Sequence, residues 1–238
     1  MLPHLYKFLF LLLLAPTALT SAAQAQPAEM PSPEQLFEEA DTALGWNAKM
    51  KQEIGHIEAS AHVSVEGRTY DTVVNSRINT PAGGDARFTM ISKDGTVTYG
   101  DTDGAIWFKG EDGEKQPLPD AMAAFVHGHQ FHRRALFPRQ ELATLHDEVS
   151  EDYFADERVF VVEGTTRSGA ALKYYFSQFT KKLVGYHLVV MEEDGPHAMD
   201  FTLKDWRTSG GQSLFWRMDI NDRGKLYVYR YNQILMLP

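Results

Sequence analysis

Apolar and polar residues alternate along most of the chain after residue 54, and this alternation predicts β-strands. Successive side chains of a strand point to opposite faces, so a period of two gives a sheet with one buried face. The clearest alternating runs are 61–65, 172–176 and 214–220. Together with shorter runs they predict a mainly β protein, an antiparallel meander of about ten or eleven strands.

Turn residues separate these runs at spacings that suit β-hairpins. Asp-Gly between alternating segments is a strong hairpin signal, because both positions tolerate a positive φ. The turn pairs are Gly83-Gly84, Asp94-Gly95, Asp103-Gly104, Asp112-Gly113, Asp194-Gly195 and Arg223-Gly224. They indicate that consecutive strands are neighbours in the sheet.

Two segments have a helical period instead. The first is an N-terminal helix with Ser32 as N-cap and Pro33 in its first turn. The second is a helical insertion at 119–146, where Asp120 caps a helix that Pro138 ends and a short second helix covers 140–145. A helical segment between strands either plugs a barrel or covers its open face.

The first 25 residues have the pattern of a cleavable signal peptide. Lys7 precedes an apolar run at 8–14, Pro16 interrupts the chain shortly after that run, and Ala23-Gln24-Ala25 is a small-x-small cleavage site. The apolar run is too short to span a bilayer. The sequence therefore predicts a periplasmic protein that is not membrane-spanning, with one domain at 26–238.

Composition narrows the function classes. The chain has no cysteine, which excludes disulfides and thiolate metal sites. Its formal net charge of −9 disfavours nucleic-acid binding, since nucleic acids are recognised through cationic surfaces. A 43% share of hydrophobic residues is enough for a sizeable core, and we expect a monomer that folds without disulfides or a structural metal ion.

Three stretches resemble one known family. They are Pro81 together with the strand 87–90, the segment 103–108 with its Asp-Gly turn and Trp107, and the late strands at 174–206 joined by an acidic turn. In order and spacing this set is similar to the LolA-like superfamily, the periplasmic carriers and related domains of outer-membrane lipoprotein sorting. The resemblance covers nearly all of the chain after the predicted signal peptide.

The resemblance implies a half-open antiparallel β-barrel, with an N-terminal helix and a helical lid over an apolar cavity that binds acyl chains. Strand 183–191 is apolar on both faces, as expected for a sheet with a cavity on one side and covering elements on the other. The residues predicted to line the cavity and lid are Phe88, Met90, Trp107, Phe125, Phe131, Leu136 and Phe137.

One position departs from the family pattern. The family carrier has an arginine directly before the strand proline, and this arginine holds the lid closed, whereas Thr80 precedes Pro81 here. Arg77 and Arg87 are the nearest arginines that could replace it. The sequence therefore predicts a related domain with an apolar cavity and a lid that lacks this latch.

A histidine cluster in the insertion is the most conspicuous polar group. On a helix His129 and His132 share a face while His127 lies off it, so the three could meet one metal ion only if Gly128 breaks the helix. We predict ordinary lid residues, with a metal or haem site and a pH-sensitive lid left as alternatives. No hydrolase, zinc-protease or phosphate-loop motif is present, so we predict no metal, no cofactor and no enzyme.

Two hypotheses for function remain. The favoured one is a non-catalytic binding or carrier protein that holds the acyl chain of a lipid or lipoprotein. The second is an envelope sensor or protein-interaction domain of the same fold, which presents a sheet edge or its lid to an envelope protein partner. A catalytic role has no nucleophile or metal constellation to support it.

Overall fold

The computed structural model describes residues 30–65, 68–80, 85–103, 105–110, 112–119, 122, 126, 128–192 and 195–238, with only the backbone described for 68–71. The predicted signal peptide, Phe125 and His127 lie outside the described residues. In the part of the chain that is described, no helix is both long and apolar enough to cross a membrane.

The predicted N-terminal helix is confirmed. Helix α1 spans Pro33–Ala43, and the Ser32 side chain accepts a hydrogen bond from the backbone nitrogen of Gln35 at 3.2 Å. A short helix α2, Ala48–Gln52, comes next with Asn47 as its cap. Two more short helices, α3 at Phe131–Leu136 and α4 at Pro138–Glu141, occupy the predicted insertion.

Thirteen strands are present in the described residues, two or three more than the alternation predicts. They are β1 His56–Val65, β2 Arg68–Asn79, β3 Ala86–Ser92, β4 Gly95–Thr102, β5 Ala105–Lys109, β6 Lys115–Pro117, β7 Leu142–Phe154, β8 Glu157–Thr166, β9 Ala171–Ser177, β10 Leu183–Glu192, β11 Gly195–Ser209, β12 Gln212–Asp222 and β13 Lys225–Leu237.

All thirteen strands form one antiparallel sheet in the order β6-β5-β4-β3-β2-β1-β13-β12-β11-β10-β9-β8-β7. Two meanders, β1–β6 and β7–β13, are joined where β1 pairs with β13. Strands β6 and β7 are the two edges, and no pairing joins them in the described residues. The predicted half-open antiparallel barrel is confirmed.

The predicted second helix at 140–145 is wrong. Pro138 begins α4 instead of ending a helix, and residues from Leu142 onward belong to β7. Strand β8 supplies the backbone partners, as Leu142 lies opposite Thr166. Register shifts after Leu142 and Leu145 disturb the alternation here, so the strand has no clear period of two.

The core lies on the inner face of the sheet and is rich in aromatic residues. Tyr174, Tyr186 and Phe201 are among the largest fully buried side chains. Phe37 of α1 packs edge-on against Tyr174, with ring centroids 6.2 Å apart, and Phe131 of α3 belongs to the same cluster. Both helices therefore cover the inner face, and each buried aromatic ring contributes about 1.5–3 kcal/mol by burial.

Candidate functional site

An apolar pocket of about 340 Å³ opens on the inner face of the sheet, and we call it the inner pocket. It lies where the two meanders meet, between β1–β3, β11–β13 and the residues that lead into α3. Its lining residues are Val63, Val65, Thr72, Met90, Gly128, His129, Phe131, Met199, Phe201, Ile220, Asp222, Tyr227 and Tyr229. The wall is mostly apolar, and its polar side chains are Thr72, His129, Asp222, Tyr227 and Tyr229.

The register of the sheet brings these residues together. Val63 lies opposite Tyr229 on one side and Thr72 on the other, so all three side chains face the same way. Ile220 similarly lies between Phe201 and Tyr227. The smaller aliphatic side chains next to the large rings leave the space of the pocket.

Phe131 at the start of α3 closes one side of the inner pocket. Its ring centroid lies 5.9 Å from that of Phe201 and 5.3 Å from that of Tyr229. The His129 ring is 5.1 Å from Phe131 and 5.7 Å from Phe88. These aromatic contacts hold α3 over the sheet by offset and edge-to-face packing.

One polar pair lies in the wall of the inner pocket. His129 Nε2 and the Tyr229 hydroxyl are 3.0 Å apart. Burial raises the pKa of Tyr229, with a smaller contribution from Tyr227, so its hydroxyl keeps its proton at neutral pH. The Tyr229 hydroxyl can therefore offer an uncharged hydrogen-bonding group to a ligand.

The sequence-predicted site residues are only partly brought together. Met90 and Phe131 line the inner pocket. Phe88 is buried next to it in a small cluster with Ile78 and Ile106, and it contacts the pocket through the His129 ring.

Three other predicted residues lie elsewhere. Leu136 and Phe137 pack in a separate cluster with Trp46 of the α1–α2 connection, and Phe137 lines a second pocket of about 300 Å³ between α1, α2 and α4. Trp107 lies on the opposite face of the sheet, where its indole nitrogen donates to Thr102 Oγ1 at 3.0 Å.

The far wall of the inner pocket is not predicted from the sequence. Met199, Ile220, Tyr227 and Tyr229 come from β11–β13 and belong to alternating runs that are visible in the sequence. That alternation assigns them to the inner face. It does not show that β13 pairs with β1, which is what places them opposite Met90.

Buried charges hold α3 and α4 in place. Arg133 Nε donates to Glu141 Oε1 at 2.8 Å, its Nη2 donates to Gln130 Oε1, and its Nη1 donates to the backbone oxygen of Asn79 at 3.3 Å. Arg134 Nε lies 3.8 Å from Glu141 Oε2. One carboxylate thus serves two buried guanidinium groups, and Arg133 ties α3 to the end of β2.

The two described histidines of the insertion do not share a site. His132 stacks on Phe215, with ring centroids 4.4 Å apart and planes at 9°, away from the His129–Tyr229 pair. Burial lowers the pKa of His132 to about 3, so the ring is neutral at physiological pH. In the described ranges, no group of three or more histidine, aspartate and glutamate side chains is arranged to hold a metal ion.

Thr80, which precedes Pro81, is a buried hydrogen-bonding residue. Its hydroxyl donates to the backbone oxygens of Ile54 and Gly55, with 3.1 Å to Gly55. The neighbouring Asn79 is the residue whose backbone oxygen Arg133 contacts. An arginine therefore does connect the helical segment with this end of β2, but it comes from the helix.

Two solved structures share this architecture. The LolA superfamily protein NE2245 from Nitrosomonas europaea superposes with a TM-score of 0.55 at 11% sequence identity, over 88% of this chain and 94% of that chain. This chain has the LolA-type fold. A putative outer membrane lipoprotein-sorting protein domain from Vibrio parahaemolyticus gives a TM-score of 0.54 at 11% identity, over 84% of this chain and 91% of that chain.

The family resemblance predicted from three sequence stretches is confirmed at the level of the fold. No protein-family model matches the sequence, and no curated protein matches it. At 11% identity the shared fold does not identify individual ligand-binding residues. The ligand therefore has to be inferred from the inner pocket itself.

Proposed function

We propose that this protein is a non-catalytic periplasmic binding or carrier protein whose inner pocket holds the acyl chain of a lipid or lipoprotein. The observation that carries the proposal is the apolar lining of the inner pocket on the inner face of a LolA-type fold. The predicted signal peptide supports the location.

The inner pocket has a suitable size and chemistry. Its volume of about 340 Å³ is within the usual range of small-ligand sites. Each methylene removed from water contributes about 0.8 kcal/mol, so ten of them contribute about 8 kcal/mol before the cost of association. Binding of this strength is reversible, which suits a protein that must also release its ligand.

The polar groups of the pocket favour an acyl chain with a polar end. Asp222 ends β12 at one side of the pocket, while the His129–Tyr229 pair lies in the wall next to Phe131. A neutral ester or amide can accept a hydrogen bond from this pair.

The proposal is tested by filling the inner pocket. Met90→Trp and Met199→Trp place an indole where the chain would lie, and we expect both variants to lose uptake of a fluorescent acyl probe. Met191→Trp is the matched control, because Met191 is 76% exposed on β10. Equal probe binding by all three variants and the wild type, with unchanged β-sheet circular dichroism, would show that the inner pocket is not the site.

A second candidate function is an interaction domain for an envelope protein, and the long edge strand β7 favours it. Strand β7 spans Leu142–Phe154 and pairs only with β8 in the described residues. An edge of this length can accept a strand from a partner. Native mass spectrometry of the protein from its own periplasm separates the two, because a lipid and a polypeptide add different masses.

A further inference from the structure

A polar cavity, distinct from both pockets described above, lies on the outer face of the sheet. It has a volume of about 770 Å³ and extends across β2–β6, and we call it the outer groove. Its lining residues are Arg77, Asn79, Asp85, Ala86, Arg87, Thr89, Thr96, Thr98, Asp101, Thr102, Trp107, Lys109, Gly110, Gly113 and Lys115. Because side chains alternate between faces, Thr89 points into the outer groove while its neighbours Phe88 and Met90 face inward.

Two pairs of like charges lie directly opposite each other in the outer groove. Arg77 of β2 pairs with Arg87 of β3, and Lys109 of β5 pairs with Lys115 of β6. Like charges at directly opposite positions destabilise a sheet. The chain as a whole has a net charge of −9, so a groove with four cationic side chains has a local charge opposite to that of the chain.

Few carboxylates offset these cations. Arg77 Nη1 lies 3.3 Å from Glu58 Oε1, but in the described part of the chain no ion pair involves Arg87, Lys109 or Lys115. Asp85 and Asp101 also line the outer groove, and the Asp85 carboxylate accepts from the backbone nitrogen of Asp103 at 3.3 Å. The groove is therefore electropositive along Arg87, Lys109 and Lys115, and a bound anion would relieve their mutual repulsion.

The floor of the outer groove is an indole ring. Trp107 lies over Gly100, where a β-carbon would be only 2.3 Å from the indole Cζ2 atom, so the close approach requires glycine. Lys115 Nζ is 4.0 Å from the ring centroid. The hydroxyl oxygens of Thr89 and Thr98, 3.2 Å apart, border this floor. The Lys115 ammonium covers the indole face, so a sugar can stack on Trp107 and contact the paired hydroxyl groups only when this ammonium moves to a phosphoryl group.

The strand spacing sets the separation of the two cationic pairs. Arg87 on β3 and Lys109 on β5 are two strands apart, which corresponds to roughly 10 Å across the sheet. The two cationic pairs can therefore bind two separate anionic groups. The Trp107 ring lies between them, in the register row of Arg87 through Gly100.

We propose that the outer groove binds a soluble phosphorylated saccharide with two phosphoryl groups, one at Arg77 and Arg87 and the other at Lys109 and Lys115. Guanidinium and ammonium groups donate charge-assisted hydrogen bonds to phosphoryl oxygens, while Trp107 and the threonine hydroxyls contact the sugar. The outer groove and the inner pocket lie on opposite faces of the sheet, so this site does not depend on acyl-chain binding.

The test uses fructose 1,6-bisphosphate as the probe, with fructose and inorganic phosphate as partial probes, in titration calorimetry at low salt. We expect saturable binding of the bisphosphate, weaker binding of phosphate, none of fructose, and loss of affinity as sodium chloride is added. The double variant Arg87→Ala, Lys109→Ala should lose roughly tenfold or more in affinity. Gly100→Ala, which displaces the indole, should weaken the bisphosphate more than phosphate.

The control variant Arg167→Ala, Lys225→Ala removes the same charge from two exposed positions outside the groove and should bind the bisphosphate normally. An equal loss of affinity in both double variants would show that only the net charge of the protein matters, and this would overturn the site. Vesicles of phosphatidylglycerol and of phosphatidylcholine form the second arm. Binding to the anionic vesicles without binding of the free bisphosphate would overturn the saccharide and indicate a lipid surface.

Discussion

The Arg133 guanidinium of α3 and the Glu141 carboxylate of α4 form a buried ion pair, with 2.8 Å between Nε and Oε1 and side-chain exposures of 5% and 7%. Because the same carboxylate also lies 3.8 Å from Arg134, it places one negative charge beside two buried cations. The covering segment of the inner pocket is therefore fixed by charge as well as by its aromatic contacts.

Replacing this carboxylate should destabilise the fold. Glu141→Gln removes the negative charge beside the buried Arg133 and Arg134 side chains, and we expect a loss of about 3–5 kcal/mol in the free energy of unfolding. The control Glu163→Gln breaks an exposed pair with Lys173 and should cost at most about 1 kcal/mol. Urea denaturation of both variants measures the difference, and similar losses would contradict the central role of Glu141.

Much of the fold could be predicted from the sequence because the relevant signals are local. Alternation and Asp-Gly turns determine neighbouring strands, and Ser32 with Pro33 determines where α1 begins. The start of β7 could not be predicted, because its register shifts disturb the alternation there and its strand state depends on pairing with β8. Local propensity gives way to tertiary pairing at such positions.

The site was less predictable than the fold. The alternation of its strand indicates which way Met90 faces, but the opposite wall of the inner pocket depends on the pairing of β1 with β13. Those strands are at opposite ends of the sheet-forming chain, and no local pattern specifies their contact. Trp107 was assigned to the cavity from the resemblance, although its own register with Gly100 puts it on the outer face.

The buried imidazole of His132 should make stability fall in acid. Burial lowers its pKa to about 3 in the folded protein, whereas the unfolded chain has the ordinary value of about 6.5. Between these values the unfolded state binds the proton, so stability is lost as the pH falls below about 6.5, by up to about 1.4 kcal/mol per pH unit. His132→Gln should flatten the decline of the melting temperature between pH 6.5 and 4.5. An unchanged slope would show that other groups cause the decline.

His197 should have the opposite dependence. Burial disfavours its charge, but hydrogen bonds to Glu192 and Asp222, both 2.6 Å long, outweigh this and raise the pKa of His197. Its contribution is fully present below the unfolded pKa and is lost as the pH rises through the folded value. Nuclear magnetic resonance titration of the ring should give a pKa above that of a model peptide, and Asp222→Asn should lower it. A pKa at or below the peptide value would contradict the charged bridge.

An arginine at position 80 should not strengthen the attachment of the helical segment. Thr80 is buried, and its hydroxyl donates to the backbone oxygens of Ile54 and Gly55. Arg133 already donates to the backbone oxygen of the adjacent Asn79. Thr80→Arg would bring a second cation next to Arg133 without a partner, so we expect a loss of several kcal/mol in the free energy of unfolding and faster release of an acyl probe. Thr80→Val, which only removes the hydroxyl, should cost about 1–3 kcal/mol and leave the release rate unchanged. Stopped-flow release and urea denaturation measure both quantities, and slower release from a stable Thr80→Arg protein would show that this position can still act as the latch.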